Sequence, residues 1–336
     1  MKYIGLDVHK KNTFACVMNV SGKEIHSMEV SSKQNGLEKI VEYMEDEEYA
    51  VLMESSTYSI KVHRFFQDRG VLTYTAHAKY LSMITRSDRK TDKIDASHLA
   101  RYLRLHMNGE LPLSMSYIPD RQAEALRALC RLREDLTKDI GDSIRKIKSH
   151  MSSVGIDIPY LVSSAKTKKF SDYLRTWHSK DLTLMNRLDM LDSLLKKAKD
   201  IEKEMEINGR YDDNVRLLLT VPGIGMQSAV QIMSMIIDVK RFPDEEKLCS
   251  YFGMAPRVRD SGGKEHHGRM TKNGDPMMRA VLDRVTYVHV CNCDSSITEF
   301  YNRKSNENKK KALTSASRKM LCMIYAILSR RTGFAA

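Results

Sequence analysis

The sequence predicts an α/β domain at the amino terminus, followed by a mostly helical remainder. Short runs of β-forming residues, separated by turn residues, fill the first part of the chain. Runs of helix and strand type then alternate as far as Leu105. From Pro119 onward, apolar residues recur at three- and four-residue steps, which is the pattern of amphipathic helices. The predicted fold class is therefore α/β plus α, with a mixed sheet confined to the first domain.

The chain opens with a predicted three-stranded antiparallel meander. Its strands span 2–9, 12–20 and 24–30. Asp7 lies in the middle of the first strand, where a buried carboxylate is costly unless it binds something. Gly5, just before it, allows another backbone or a ligand to approach closely. The first strand is therefore a candidate part of a functional site.

Helices and strands alternate after the meander. A helix is predicted over 35–47, a strand that is apolar on both faces over 49–53, a helix over 58–69 and a short strand over 71–74. Glu54 ends the fourth strand. This order of elements is that of ribonuclease-H-like domains. In that architecture, acidic residues on the first strand, at the end of the fourth strand and on a late helix converge on a two-metal centre.

Two more carboxylates open the last helix of this domain. Asp92 and Asp95 stand three residues apart, and residues at that spacing share a helix face. Paired carboxylates repel each other, and a cation relieves both. For this pair alone, a capped and solvated helix start is the simpler interpretation, because aspartate is favoured there. Together with Asp7 and Glu54, however, the pair completes a set of four acids that could hold two divalent ions about 4 Å apart.

The actin-like kinase fold is an alternative for the first domain. It also begins with an aspartate-bearing hairpin. That fold needs glycine-rich phosphate-binding loops, and none follows the hairpin here.

The composition favours a nucleic-acid partner. The formal net charge is +12, which favours a polyanion, with a membrane surface as the rival partner. No apolar run approaches the length of a membrane span, and the first residues do not resemble a signal peptide. We therefore expect a cytoplasmic protein without membrane contact. The six cysteines are scattered, and the close pair Cys291 and Cys293 is a poor zinc signature, so we expect reduced, mostly packing cysteines.

Long helices are predicted over 119–153, 164–177 and 181–207. The first and third suit an antiparallel, coiled-coil-like helical hairpin that projects from the first domain. An ordinary helical bundle is the alternative. The expected role is dimerisation, nucleic-acid binding or both. Part of the outer face of the first helix is basic, with Lys138, Arg145, Lys146 and Lys148.

The segment Val221-Pro222-Gly223-Ile224-Gly225 joins two apolar helices. Gly223 and Gly225 leave amide N–H groups free at a helix N-terminus, where a phosphate binds well. A tight structural turn between two core helices is the alternative interpretation.

A second glycine-rich stretch, 256–274, is predicted to be a basic loop. Backbone amides and cationic side chains of such a loop can approach phosphates closely. Ser261 precedes two glycines, so we expect it to be exposed and mobile. A lone serine is commonly an ordinary loop residue, and a nucleophilic serine needs a base or metal to activate it. The candidate nucleic-acid contacts in this stretch are Arg257, Arg259, Lys264, Arg269 and Lys272.

Several motifs resemble those of the DEDD insertion-sequence transposases of the IS110/IS1111 group. They are Tyr-Ile-Gly-Leu-Asp-Val-His-Lys, Met-Glu-Ser-Ser, Lys-Thr-Asp-Lys-Ile-Asp-Ala, Val-Pro-Gly-Ile-Gly, and Ser-Gly-Gly-Lys with Gly-Arg-Met-Thr-Lys-Asn-Gly-Asp. They cover nearly the whole chain in the family's order. The resemblance implies a RuvC-like domain over 1–112, a coiled-coil segment over 119–207 and a carboxy-terminal transposase domain over 210–331. The last of these would contain a helix-hairpin-helix-like motif and a catalytic serine.

The resemblance also implies roles for individual residues. Asp7, Glu54, Asp92 and Asp95 match the acidic tetrad that binds Mg²⁺ (or Mn²⁺). Ser261 matches the serine that attacks the phosphodiester and becomes linked to DNA. Family members often have two adjacent serines there, whereas this chain has aspartate before Ser261, which makes Ser261 the sole local candidate.

The partners implied by the resemblance are donor DNA, target DNA and a non-coding guide RNA that pairs with both. A homodimer or homotetramer is also implied, in which the acidic site of one subunit meets the serine of another.

Three functions are thus open at this point. The leading hypothesis is a DNA strand-exchange enzyme that combines serine attack with a metal-assisted site. The second is a Holliday-junction-type nuclease that hydrolyses DNA with metal-bound water. The third is a non-catalytic nucleic-acid scaffold in which the acids are structural.

Overall fold

The computed structural model describes residues 1–335 apart from 46, 79, 82–90, 158–163, 211, 262–263 and 272, and over 257–269 it describes the backbone alone. The chain forms two compact units, Met1–Pro119 and Asp120–Ala336. The division of the chain into three parts, with a separate coiled-coil segment, stays a prediction.

The first unit is built on a five-stranded mixed sheet with the strand order β3-β2-β1-β4-β5. β1 is antiparallel to β2 and parallel to β4, which is parallel to β5. β2 and β3 are antiparallel, so the predicted meander is present. This sheet is consistent with the predicted ribonuclease-H-like domain. The strands are β1 (Lys2–Val8), β2 (Asn12–Met18), β3 (Glu24–Ser31), β4 (Tyr49–Glu54) and β5 (Leu72–Ala76).

Helices cover both faces of the sheet. They are α1 (Gln34–Met44), α2 (Ser59–Gln67) and α3 (Asp92–Met107). α1 and α2 pack on one face through the apolar cluster Ile4, Leu6, Leu37, Ile40, Val51, Met53, Val62 and Phe66. α3 packs on the other face through Tyr3, Ala50, Leu52, Ala96, Leu99, Ala100 and Leu103.

Gly5 lets α3 lie directly against β1. A Cβ atom at this position would lie 2.0 Å from the backbone oxygen of Ala96 and 2.3 Å from the backbone nitrogen of Ala100. The close approach expected at Gly5 is therefore made by the backbone of α3. Because α3 begins with Asp92, this contact fixes where the first turn of α3 lies relative to the end of β1.

The second unit is mostly helical, which confirms the predicted change of pattern. Its helices are α4 (Arg121–Ser153), α5 (Lys168–Trp177), α6 (Leu182–Gly209), α7 (Asp213–Leu219), α8 (Met226–Ile236), α9 (Glu245–Tyr251), α10 (Pro276–Asn292), α11 (Ser296–Ser305) and α12 (Lys309–Arg330). Ser295 caps α11 by accepting a hydrogen bond from the Thr298 amide. No helix in the described ranges is both long and apolar enough to cross a bilayer.

α4 and α6 run side by side in opposite directions. In the first half of α4, Arg133 Nε donates to Glu202 Oε1, in the second half of α6, at 2.8 Å. Near the other end of α4, His150 Nε2 lies 2.6 Å from Asp181 Oδ2, which belongs to the residue that caps α6. The antiparallel pairing agrees with the predicted hairpin, whereas the coiled-coil assignment stays a prediction. The buried residues between the helices are Leu136, Ile140, Ile147, Met151, Leu184, Leu188, Leu191 and Ala198.

The sequence predicted a loop for the basic stretch near Ser261, but the structure has a β-hairpin there. β6 (Pro256–Ser261) pairs antiparallel with β7 (Lys264–Met270). Ser261 and Lys264 are the last paired residues of the two strands, so only Gly262-Gly263 joins them. Two glycines between short runs are a hairpin signal. The prediction was wrong because charged residues interrupt the apolar alternation that usually identifies a strand.

All six cysteines are free in the structure, and their reduced state stays a prediction. Cys16, Cys130 and Cys249 are buried, and Cys291 is exposed.

Candidate active site

The carboxyl ends of β1 and β4 bring two of the four predicted acids to one edge of the sheet. These strands are parallel neighbours whose register pairs Gly5 with Leu52 and Leu6 with Met53. One residue further along this register, Asp7 and Glu54 stand beside each other. Since side chains alternate between faces, both belong to the same face as Gly5, the face that α3 covers.

Asp92 reaches the same place from the first turn of α3. The Thr91 hydroxyl caps this helix by accepting a hydrogen bond from the Ile94 amide at 3.4 Å. Asp92 Oδ2 lies 3.6 Å from His9 Nε2, and Asp7 Oδ2 lies 3.1 Å from the same nitrogen. Ligand atoms of the three residues all fall within 4.8 Å of one another. The structure thus brings together a strand carboxylate, a helix carboxylate and an imidazole.

His9 is the member of this cluster that sequence reasoning missed. It directly follows β1 and stands two residues after Asp7. Residues two apart on a strand point to the same face, so extending the strand period by one step from Asp7 would have identified it.

The charges around Asp7 are those of a crowded acidic site. Burial raises the pKa of Asp7 above its ordinary value. His9 opposes this rise, whereas the neighbouring carboxylates Asp92 and Asp95 add to it. Asp95 therefore lies close enough to interact electrostatically with Asp7. A divalent cation would relieve the repulsion among these three carboxylates.

The donor set fits a divalent metal ion. Two ligands of one such ion lie within roughly 4–5 Å of each other, given bond lengths of about 2.0–2.3 Å. The three ligand atoms at Asp7, His9 and Asp92 meet that condition. Carboxylate oxygens suit Mg²⁺ and Mn²⁺, and an imidazole nitrogen extends the choice toward transition metals. Glu54, at the end of the adjacent strand, and Asp95, in the same helical turn as Asp92, are the nearest candidates for completing the set.

The Val-Pro-Gly-Ile-Gly turn is tightly packed on one side. Gly223 has φ +96°, and a Cβ there would lie 2.7 Å from backbone atoms of α10, including the nitrogen of His289. Buried His289 holds the turn, because its Nδ1 lies 2.7 Å from the oxygen of Pro222. Gly225, by contrast, caps α8 with open space around it. Packing therefore favours a structural role for Gly223, and phosphate binding at Gly225 stays a prediction.

Ser261 ends β6 at the tip of the hairpin. The Cα register pairs it with Lys264 and pairs Arg259 with His266, so basic residues occur on both strands near it. The side chains of Ser261, Arg257, Arg259, Lys264 and Arg269 fall in the backbone-only stretch, and Lys272 lies outside the described residues. Their chemical roles stay predictions.

Two family models match this chain. A model of the IS110-type DEDD transposases, described as a transposase, matches residues 4–156. A second, described as the transposase IS116/IS110/IS902 family, matches residues 215–302. The first match contains Asp7, Glu54, Asp92 and Asp95, and the second contains Ser261.

Curated relatives extend the similarity along the chain. The transposase for insertion sequence element IS1111A of Coxiella burnetii is 21% identical over an alignment of 351 residues, gaps included. The alignment covers 99% of this chain and 91% of that protein. A putative transposase, y4rJ, of Sinorhizobium fredii is 24% identical, covering 82% of this chain and 76% of that protein. The pilin gene-inverting protein of Moraxella bovis is 24% identical, covering 99% of this chain and 97% of that protein. On this evidence, the chain belongs to the IS110 family of insertion-sequence transposases.

Proposed function

We propose that this protein is a DNA transposase that cuts and exchanges DNA strands by metal-assisted phosphoryl transfer, with Ser261 as the nucleophile. Membership of a transposase family implies DNA cleavage and recombination. The observation that carries the metal-dependent part is the meeting of Asp7, His9 and Asp92 within 4.8 Å at the carboxyl edge of the sheet.

The acids of the first unit would bind and orient the metal. A bound divalent ion supplies Lewis-acid stabilisation of charge on the phosphoryl oxygens and on the leaving oxygen. Asp7 and Asp92 are the principal proposed ligands, with His9 between them. Glu54 and Asp95 are the further members of the proposed set. The half-buried position of Asp7 supports this role, since partial burial strengthens its interaction with a cation.

Ser261 would make the covalent bond to DNA. In the proposed step, the serine oxygen bonds to phosphorus while the bond between phosphorus and one deoxyribose oxygen breaks. The serine proton leaves to a base or to water, and the released oxygen takes up a proton or attacks a new partner. Religation reverses the step and frees the serine. The basic residues along β6 and β7, among them Arg259 and Lys264, would stabilise the charge on the transferring phosphoryl group.

Recognition of DNA is proposed to depend on more than this chain alone. Donor and target DNA would be paired by a non-coding guide RNA encoded by the element. A homodimer or homotetramer would supply the acids and the serine of each reaction from different subunits. The net charge of +12 supports binding to polyanions of both kinds.

A trapping experiment tests the serine step. The protein is incubated with Mg²⁺, with DNA that carries the insertion sequence and its flanks, and with RNA transcribed from the non-coding end of the element. Protein–DNA adducts are then separated on a denaturing gel. We expect a covalent protein–DNA adduct with the wild type, and none with Ser261→Ala. Asp7→Asn is expected to prevent both the adduct and cutting. Adducts that persist unchanged in Ser261→Ala would refute the serine role.

A metal-dependent nuclease is the second candidate, and one observation favours it. All four acids and His9 lie within the single compact unit Met1–Pro119, without any contribution from Ser261. Such an enzyme would hydrolyse DNA with metal-bound water. In the same experiment it predicts cutting without adducts, with little loss in Ser261→Ala and complete loss in Asp7→Asn.

A further inference from the structure

We propose that a cationic groove between α4 and α6 binds single-stranded nucleic acid, with Trp177 as a stacking platform for one unpaired base. The proposal rests on the proposed function, because it concerns how a DNA-recombining protein holds its nucleic acids. It concerns a surface well apart in sequence from the metal cluster, and it can be tested separately.

The groove is formed where the two antiparallel helices lie side by side. Its volume is about 480 Å³. Five of the lining residues recur at one-, three- and four-residue steps along α4 and form one stripe, while Arg187 faces them from α6. The lining consists of Arg145, Lys146, Ser149, His150, Ser153 and Arg187.

The charge of this lining is of one sign. Three permanent cations and one histidine line the groove together with two serine hydroxyls, and no carboxylate is among the lining residues. Two acids do lie next to it: Asp142 pairs with Arg145, and Asp181 lies 2.6 Å from His150. Asp181 also accepts a hydrogen bond from the Leu184 amide, so part of its charge serves to cap α6.

Lys146 and Arg187 have no ion-pair partner within the described part of the chain. A solvated helix face normally mixes both signs, and its cations are paired at three- or four-residue spacing. Here cations from two separate helices converge on one groove, with hydroxyl donors between them. Guanidinium, ammonium and hydroxyl donors around a concave surface are the groups that bind phosphate oxygens.

Trp177 supplies the second half of the site. It is the only tryptophan of the chain, and 71% of its surface is exposed. It ends α5 four residues before Asp181, which contacts groove residue His150. Four residues span at most about 14 Å, so the Cα atom of Trp177 lies no further than this from that of Asp181, the residue that contacts the groove through His150. An exposed indole beside a cationic groove is the combination that single-strand-binding proteins use, because every base can stack on it.

The ligand class follows from these two features. Phosphodiester oxygens would occupy the cationic groove, and a base face would cover Trp177. A duplex hides its base faces in the stack, so an unpaired segment is required. Both an RNA loop and a displaced DNA strand offer this chemistry. They differ in the 2′-hydroxyl, so direct binding measurements can tell them apart.

The test uses the fluorescence of Trp177 in the full-length protein. Three probes are titrated: a 12-nucleotide RNA, the DNA of the same sequence, and the corresponding DNA duplex. We expect a single strand to quench the fluorescence and to bind at least 10-fold more tightly than the duplex. The variant Arg145→Ala/Lys146→Ala/Arg187→Ala should weaken single-strand binding by at least 10-fold. It should also make the negative slope of log affinity against log salt shallower by about 2, because each of the three lost phosphate contacts contributes roughly 0.7 to this slope.

A matched variant controls for the loss of positive charge. Lys196→Ala/Lys197→Ala/Lys199→Ala removes three exposed cations from α6 outside the groove, and we expect affinity to change less than 2-fold. Circular dichroism establishes that both variants are folded. Trp177→Ala, measured by anisotropy with a labelled oligonucleotide, should also weaken binding. Equal losses in the groove variant and the control, an unquenched Trp177, or duplex binding as tight as single-strand binding would overturn the proposal.

Asp7→Asn separates this proposal from the proposed function. It should abolish strand cutting and leave quenching by the single strand unchanged. If the wild type fails to cut DNA but the groove variant still loses oligonucleotide binding, the proposed function fails and the groove stands.

Discussion

His9 shows how a single side chain can organise a cluster of acids. Its Nε2 lies between Asp7 and Asp92, at 3.1 and 3.6 Å from their oxygens. An imidazole in this position can ligate a metal through a nitrogen, or hold the two carboxylates in place by hydrogen bonding and charge. Either way, it joins the end of β1 to the start of α3.

Replacing His9 should weaken metal binding without unfolding the protein. We expect His9→Gln to raise the dissociation constant for Mn²⁺ by about 10- to 100-fold, as measured by isothermal titration calorimetry. His26→Gln is the control, since His26 lies on β3 and stacks on Tyr43. An affinity equal to wild type in His9→Gln would contradict a role for the imidazole at the metal.

His63 makes the first unit sensitive to acid. It is buried on α2, with its Nδ1 2.9 Å from the Thr75 hydroxyl. Burial lowers the pKa of His63, and the nearby Arg64 lowers it further. The unfolded chain therefore binds a proton more readily than the folded one. Neutral, buried His63 therefore makes its full contribution to the free energy of unfolding above about pH 6.5, the pKa of histidine in the unfolded chain. This contribution is lost as the pH falls from there through the lower pKa of the folded state.

Hydrogen exchange tests this pH dependence directly. The amides of α2 and β5 in the wild type should lose protection between pH 7 and pH 5.5, after correction for intrinsic exchange. His63→Gln removes the titrating group, so its protection should change less over the same range. Parallel losses of protection in the two proteins would rule out His63 as the cause.

At the scale of elements, the site depends on how closely α3 lies against β1. That spacing is set by Gly5, above which the backbone of Ala96 and Ala100 leaves no room for a side chain. The two acids that meet at His9 come from these two elements. A small displacement of α3 would therefore separate Asp92 from Asp7.

Gly5→Ala should accordingly damage both stability and metal binding. Because the added carbon would lie 2.0 Å from a backbone oxygen, the helix must shift, and we expect a loss of about 1–3 kcal/mol in the free energy of unfolding. Urea denaturation and Mn²⁺ titration measure the two effects. Gly141→Ala in α4 is the matched control, because only the Arg145 side chain is near it, and it should be neutral or stabilising. Wild-type behaviour in Gly5→Ala would contradict this explanation of the close packing.

Elements with a clear hydrophobic period were predictable from the sequence, and others were not. The strands β1 to β4 are short runs of β-forming, mostly apolar residues, and the long helices α4 and α6 follow a period of 3.6 residues; all six lie close to their expected bounds. The β6–β7 hairpin was missed because its strands carry charges where a packed strand carries apolar residues. Within the candidate site, the acids could be found from their positions on elements. The contact between His9 and Asp92 could not, because it depends on where α3 lies against the sheet.

At the scale of the whole molecule, charge and composition point to one kind of partner. The net charge is +12, with 55 lysines and arginines against 43 aspartates and glutamates. An excess of cations attracts the phosphates of a nucleic acid. Binding of this kind releases counterions and weakens steeply with salt.

The salt dependence of DNA binding should therefore be strong. If six to ten phosphates are contacted, affinity for duplex DNA should fall by about 10³- to 10⁵-fold between 50 and 200 mM salt. Fluorescence anisotropy of a labelled duplex measures this at a series of salt concentrations. An affinity that hardly changes over the series would contradict a phosphate-dominated interface.

Electron paramagnetic resonance of Mn²⁺ shows whether Asp7, His9 and Asp92 hold a metal ion, because free and protein-bound Mn²⁺ give different spectra without any need for DNA. We expect the wild type to bind Mn²⁺, Asp7→Asn/Asp92→Asn to lose this binding, and the surface control Asp189→Asn/Asp192→Asn on α6 to keep it. Equal Mn²⁺ binding by the Asp7→Asn/Asp92→Asn variant and the wild type would show that the cluster at His9 is not a metal site.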